Sequence, residues 1–155
     1  MCPKVSTEKE DRMNNQGKST TNDYAEWIDT MQFDFCVTLT RRDPLSIKGI
    51  RETNEHFFDF MRQRYKKARF LWVAEPHDVA TSYHSHGLFA LGESVEGKLE
   101  AHAQNLKDGW RIVSNGGKGG NSWTVIEPYI KGGGWARYLA KNIDKDNTDW
   151  FIHGT

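Results

Sequence analysis

The chain has 155 residues, with 21 lysines and arginines against 21 aspartates and glutamates, so its formal net charge is zero. That length fits one globular domain able to bury a core without disulfides, and the only cysteines, Cys2 and Cys36, exclude a disulfide framework or a cysteine zinc cluster and favour reducing intracellular conditions. The even charge offers no global electrostatic case for nucleic acid, and no apolar run has the length of a membrane span or the look of an export signal, so a soluble, non-secreted protein is expected.

Residues 1–30 read as a flexible leader, because the run from Asn14 to Thr21 is almost free of apolar side chains. Tyr24, Trp27 and Ile28 could anchor its distal end, as a short helix against the domain that fills residues 31–155. Phe33 to Thr40 then alternates as a strand, with Phe33, Phe35, Val37 and Leu39 on one face and Cys36, Thr38 and Thr40 on the other. Pro44 closes it, and Ile47 to about Lys67 has helical spacing, its apolar face built from Ile47, Ile50, Phe57, Phe58, Met61 and Tyr65. His56 reads as a surface or packing residue. Arg62, Arg64, Lys66, Lys67 and Arg69 form a positive segment without acids, read first as a solvated helix end and alternatively as a phosphate contact.

RFLWVAE, residues 69–75, predicts the next strand, with Leu71, Val73 and Glu75 on one face. Residues 83–91 predict a third strand antiparallel to it, which would bring Glu75 near His84 and His86, two imidazoles on one face of that strand. Ser94 to about Lys107 has the stripe of a packed helix through Leu99, Ala103 and Leu106, with His102 in a solvated or packing role. Trp110 to Val113 is expected as a short strand, NGGKGGN as a flexible connection, and WTVIEPY as a further strand. These glycines lack the strand and helix context of a dinucleotide or phosphate loop, which excludes both assignments. After Gly132, Gly133 and Gly134, WARYLAKNIDK predicts a helix that carries Tyr138 and Lys141 on a common surface, and Asp149 to Ile152 could add a final strand.

A carboxylate, a His-x-His strand and a Tyr-x-x-Lys helix can serve one site. Two imidazoles and a carboxylate suit Mn²⁺, and are workable for Mg²⁺ or Zn²⁺. His77 competes with Glu75 as the third ligand, since it also follows the second strand. With such an ion polarising a phosphodiester, Tyr138 could attack phosphorus and Lys141 could stabilise the charge. Arg137 and Lys145 are weaker candidates for DNA contact, and Trp110, Trp123 and Trp135 could stack on bases, though core or rim packing is the plainer reading of each.

In that order, FCVTLT at 35–40, YHSHGL at 83–88 and RYLAKNI at 137–143 resemble the three motifs of the HUH-type rolling-circle replication initiator family. The resemblance covers residues 33–145 and implies an α+β fold, a central antiparallel sheet of about five strands flanked by helices. It implies nicking and rejoining of single-stranded or hairpin origin DNA through a 5′-phosphotyrosine at Tyr138, with Glu75, His84 and His86 holding Mn or Mg, or else Zn. It further implies a viral or plasmid-borne initiator in the cytoplasm of a prokaryotic host. The chain holds no ATPase motor, so a separate helicase and replication proteins are the expected partners; a homo-oligomer is possible, and no membrane is involved. Asn142 stands where many relatives have an aromatic residue, and Gly134 stands where two-tyrosine members have their other tyrosine, which favours a single-tyrosine cycle. A single-tyrosine transposase, a relaxase and a non-catalytic metal-containing DNA-binding module are the alternatives.

Overall fold

The computed structural model describes residues 15–41, 46–76, 82–115, 124–143, 145 and 147–154. Its elements in chain order are α1 (Asn15–Asp29), β1 (Phe35–Leu39), α2 (Ile47–Arg62), β2 (Arg69–Pro76), β3 (Tyr83–Ala90), α3 (Leu99–Asn115), β4 (Val125–Pro128), α4 (Trp135–Ile143) and β5 (Asp149–His153). The strands form one sheet in the order β4-β1-β3-β2-β5. Every neighbouring pair is antiparallel. The α+β architecture with a five-stranded antiparallel sheet and flanking helices is therefore present among the described residues.

Helices cover both faces, so the central strands bury side chains in both directions. Phe35, Val37, Leu39, Phe70, Trp72, Ala74 and Phe89 point to one core, which α2 and α3 close with Ile50, Phe57, Phe58, Met61, Leu106 and Trp110. Phe57 meets Phe70, Phe89 and Trp110 edge-on, with ring centroids 5.5, 5.9 and 5.6 Å away. Cys36, Leu71, Val73 and Leu88 point the opposite way, against Ile28 of α1 and Trp135, Ala136, Leu139, Ala140 and Ile143 of α4. The period-two pattern thus sorts the central strands from Phe35 onward, and neither side of those strands faces water. Phe33, expected on one face with Phe35, Val37 and Leu39, lies before the strand begins and packs with the opposite core, because strand alternation does not extend to it.

Three further local expectations change. The leader expected over residues 1–30 is helical from Asn15, because Tyr24, Ala25 and Ile28 present a stripe that packs with α4. Trp110 to Val113 is not a strand but the continuation of α3. Gly109 lies inside this helix against α2, where a Cβ would lie 2.3 Å from the Met61 sulfur, so that flexible side chain would have to move aside. The helix expected to reach Lys67 ends at Arg62, and Tyr65 and Ala68 are buried in the turn that follows. Pro44, the NGGKGGN segment from residue 116, His77 and Trp123 lie outside the described residues.

Gly87 explains one letter of YHSHGL. It sits across from Trp72 on β2, and a Cβ there would meet the Leu71 carbonyl oxygen at 2.5 Å and the Phe70 ring at 2.9 Å. The strand that carries the two histidines can therefore lie flat under the aromatic core only with glycine at this position. Among the described residues no helix is long and apolar enough to cross a membrane.

Candidate metal centre and nucleophile

The β2–β3 register pairs Val73 with His86 and Glu75 with His84, and alternation puts all three polar side chains on the α1/α4 face. They occupy the end of that face where its apolar packing stops. His84 Nε2 lies 2.9 Å from His86 Nε2, and Glu75 Oε1 lies 3.5 Å from the first and 3.0 Å from the second. Two ligands about 2.1 Å from one ion, at angles between 90° and tetrahedral, are about 3.0–3.4 Å apart, so the triangle has the edges of one coordination face. Glu75, His84 and His86 are the group that could hold a metal ion among the described residues. Nitrogen and carboxylate donors admit Mn²⁺ and Zn²⁺ readily and Mg²⁺ less so, and the donor set by itself does not choose.

Helix α4 lays a fourth group over this triangle. Gly132 and Gly134 have φ of +79° and +103°, which turns the chain sharply into the helix, and Tyr138 N closes its first turn on the Gly134 carbonyl at 2.9 Å. Trp135, Leu139, Ala140 and Ile143 bury the helix against the sheet. Tyr138 lies at the edge of that buried stripe, and its hydroxyl donates to Glu75 Oε1 at 2.5 Å. Its ring stands edge-on to His86 at 5.4 Å, while Trp135 lies 5.7 Å from His86 and 6.1 Å from Tyr138.

Burial pulls the Glu75 carboxyl upward, but hydrogen bonds from His84, His86 and Tyr138 outweigh it and hold the group well below the usual carboxylate range. Burial lowers His86 against the opposing pull of Glu75, so the neutral imidazole that a metal requires is favoured. Burial, then the bond to Glu75, pushes the Tyr138 phenol above its ordinary value. The protein's own groups thus present an ionised carboxylate, a neutral His86 and a protonated phenol at neutral pH.

The remaining predicted residues fall in three places. Lys141 is half-buried on α4, one turn beyond Tyr138, and Arg137 is half-buried beside it in sequence. Lys145 is exposed after the helix. Arg62, Arg64, Lys66 and Lys67 are exposed where α2 runs into β2, and Arg69 is six strand steps from Glu75, about 20 Å at strand rise. That basic segment is not gathered at the triangle; Arg64 pairs with Glu93 at 3.2 Å and Arg62 covers the Phe58 ring. Trp110 is fully buried and donates from Nε1 to the Thr40 carbonyl at 2.9 Å, so it belongs to the core and offers no stacking surface.

Two neighbours of the site carry little signal in the sequence. Thr38 lies opposite His86 across β1–β3, and its Oγ1 is 3.1 Å from His86 Nδ1. Strand parity put Thr38 on the correct face, but only the register selects His86 as its neighbour. Asn142, buried one turn after Tyr138, donates to the Tyr138 carbonyl at 3.0 Å, a place an aromatic side chain could not fill in the same way.

In comparisons with known proteins, no family model, no curated protein and no solved structure matches this chain.

Proposed function

We propose that the chain is a metal-dependent single-stranded DNA nickase and strand transferase of the HUH type, acting in rolling-circle initiation through a covalent tyrosyl intermediate. One observation carries this reading: Glu75 Oε1 is met at once by His84 Nε2, His86 Nε2 and the Tyr138 hydroxyl. A two-histidine, one-carboxylate triangle and a phenol brought to one atom from a hairpin and a separate helix suit phosphodiester transesterification. The motif order FCVTLT, YHSHGL and RYLAKNI supports the family assignment, as does the position of His-x-His on the central strand β3.

A divalent ion held by Glu75, His84 and His86 would supply Lewis-acid polarisation of the scissile phosphate. Tyr138 Oη forms the new bond to phosphorus while the bond to the sugar 3′ oxygen breaks. The phenolic proton passes first toward Glu75 Oε1, its present acceptor, and ends on the departing 3′ oxygen. The products are a 5′-phosphotyrosyl DNA and a free 3′-hydroxyl, and religation is the same path reversed. Lys141, one turn along α4, is assigned to the phosphate's negative charge, and Arg137 and Lys145 to backbone contacts on the same side. The distant segment Arg62, Arg64, Lys66 and Lys67 suits a flanking stretch of DNA rather than the scissile phosphate. An origin served by a separate helicase is the substrate this reading favours.

The test incubates the full chain with labelled single-stranded and hairpin DNAs in Mn²⁺ or Mg²⁺, followed by denaturing gels and mass mapping. A DNA adduct on Tyr138 is expected, with about a thousandfold or greater loss in Tyr138→Phe and loss on chelation. DNA binding without any adduct would overturn the catalytic reading in favour of a binding module. An adduct that survives Tyr138→Phe would overturn the nucleophile.

A further inference from the structure

The imidazole of His86 has two nitrogens and one orientation that serves the triangle. Its Nε2 faces His84 Nε2 at 2.9 Å and Glu75 Oε1 at 3.0 Å, and its Nδ1 faces Thr38 Oγ1 at 3.1 Å. A ring turned over would put Cε1 where Nε2 now stands and Cδ2 where Nδ1 now stands, and would lose all three of these contacts. His86 is only 8% exposed, and Trp135 and Tyr138 close on its ring at 5.7 and 5.4 Å, so solvent has little access to replace a lost partner.

Thr38 is well built to hold that ring. It is paired on both sides, with His86 of β3 and with Val125 of β4, so its backbone is fixed within the sheet rather than at an edge. Its branched Cβ restricts χ1, which limits the positions open to Oγ1. The hydroxyl can also act in both directions, as donor or acceptor. When Nε2 carries the ring proton and donates to Glu75, Nδ1 accepts from the Thr38 O–H. When Nε2 turns its lone pair to a metal, the ring remains neutral, its proton resides on Nδ1, and Nδ1–H donates to Thr38 Oγ1. A carbonyl or carboxylate would support only the second arrangement, and an apolar side chain neither.

We propose that Thr38 is the positioning residue of the metal centre, its hydroxyl holding His86 with Nε2 in the triangle both with and without the ion. This rests on the metal-centre reading above, and it adds a residue from β1 to a site otherwise built from β2, β3 and α4. Outer partners of metal-ligating histidines fix tautomer and ring orientation, and their loss typically weakens metal affinity about 10- to 100-fold.

The experiment compares the full wild-type chain with Thr38→Val, which keeps shape and strand preference, and Thr38→Ser, which keeps the hydroxyl. Calorimetry with Mn²⁺ and Zn²⁺ should show about 10- to 100-fold weaker binding for Thr38→Val and about threefold or less for Thr38→Ser. In ¹⁵N spectra of the wild-type zinc form, the His86 proton should reside on Nδ1. Equal metal affinity in wild type and a folded Thr38→Val would overturn the proposal, and so would a zinc form with His86 coordinated through Nδ1. Should Thr38→Val not fold, weak binding by Thr38→Ser or the wrong coordinating nitrogen in the wild type would overturn it instead. Failure of the wild-type chain to bind either ion would remove the metal centre itself, a result distinct from an indifferent Thr38 in a chain that binds.

Discussion

The same β3 strand makes two different faces from alternating residues. Tyr83, Ser85, Gly87 and Phe89 look toward α2 and α3, while His84, His86, Leu88 and Ala90 look toward α1 and α4. At the level of Ser85 the first face ends in a single polar pair, with Asn54 Nδ2 donating to Ser85 Oγ at 2.7 Å and both residues fully buried. One residue away, the second face ends in three polar groups, His84, His86 and Tyr138, that converge on Glu75 Oε1. Burial and hydrogen bonding are common to both ends, so neither property marks a site. Convergence of several lone-pair donors on one point is what differs. The Tyr65 hydroxyl makes the same distinction elsewhere: it bonds His102 Nδ1 at 2.7 Å and receives Asn105 at 2.9 Å, so of the solvated and packing roles open to His102 the structure selects packing.

If the two faces divide stability from chemistry, substitutions on each should separate the two properties. The largest stability effect is expected at Phe57, whose ring meets three other aromatic residues of the α2/α3 core. Phe57→Ala should cost about 3–5 kcal/mol in urea unfolding, and a loss under 1 kcal/mol would break the comparison. On the opposite face, His84→Ala should cost less in chelator than Phe57→Ala, about 1–2 kcal/mol for the bond lost to Glu75, but should remove the stabilisation expected from metal, about 2.7 kcal/mol when free Mn²⁺ is a hundred times the dissociation constant. Retention of that stabilisation would place the metal elsewhere.

A smaller effect, about 1–3 kcal/mol, is expected for Asn54→Ala, which leaves the buried Ser85 hydroxyl without its partner. Metal affinity should not move, because Asn54 lies on the other side of the sheet. The gentlest probe is acid. Burial lowers both His86 and His153 below the ordinary imidazole value of 6.5, so the unfolded chain binds more protons than the folded chain as pH falls through that value. Stability should therefore decline below about pH 6.5. A second decline is expected below the ordinary carboxylate value of 4.5, as the unfolded chain takes up a proton that the depressed Glu75 still refuses. Melting temperatures measured from pH 8 to pH 4 in chelator would show both, and a flat profile from pH 7 to pH 5.5 would contradict the histidine part.

Much of this was legible without coordinates, because alternation and helical spacing are local. Phe35, Val37 and Leu39 were assigned to one face of β1 and Thr38 to the other, and Leu71, Val73 and Glu75 were grouped on one side of β2, as the two cores and the register show, whereas Phe33, grouped with Phe35, packs in the other core. The helix that begins at Trp135 was legible from the glycines before it and the spacing within it. Where local signals misled, a distant partner was responsible. Trp110 to Val113 looks like a strand, yet it continues α3, whose Trp110 packs on Phe57 of α2. The run before Thr21 looks unstructured because it lacks apolar residues, yet Ile28 and α4 hold the rest of its helix.

By itself the sequence determined the residue types of the site and the face on which each strand would present them, since both follow from side-chain chemistry and the period of two. Only the tertiary structure decided the pairing of Glu75 with His84, the placement of Tyr138 over them and of Thr38 behind His86, and the separation of the basic segment Arg62 to Lys67 from them all. Those are relations between segments far apart in the chain. They are fixed by strand register and by the packing of α4 on the sheet, neither of which is encoded in a local pattern.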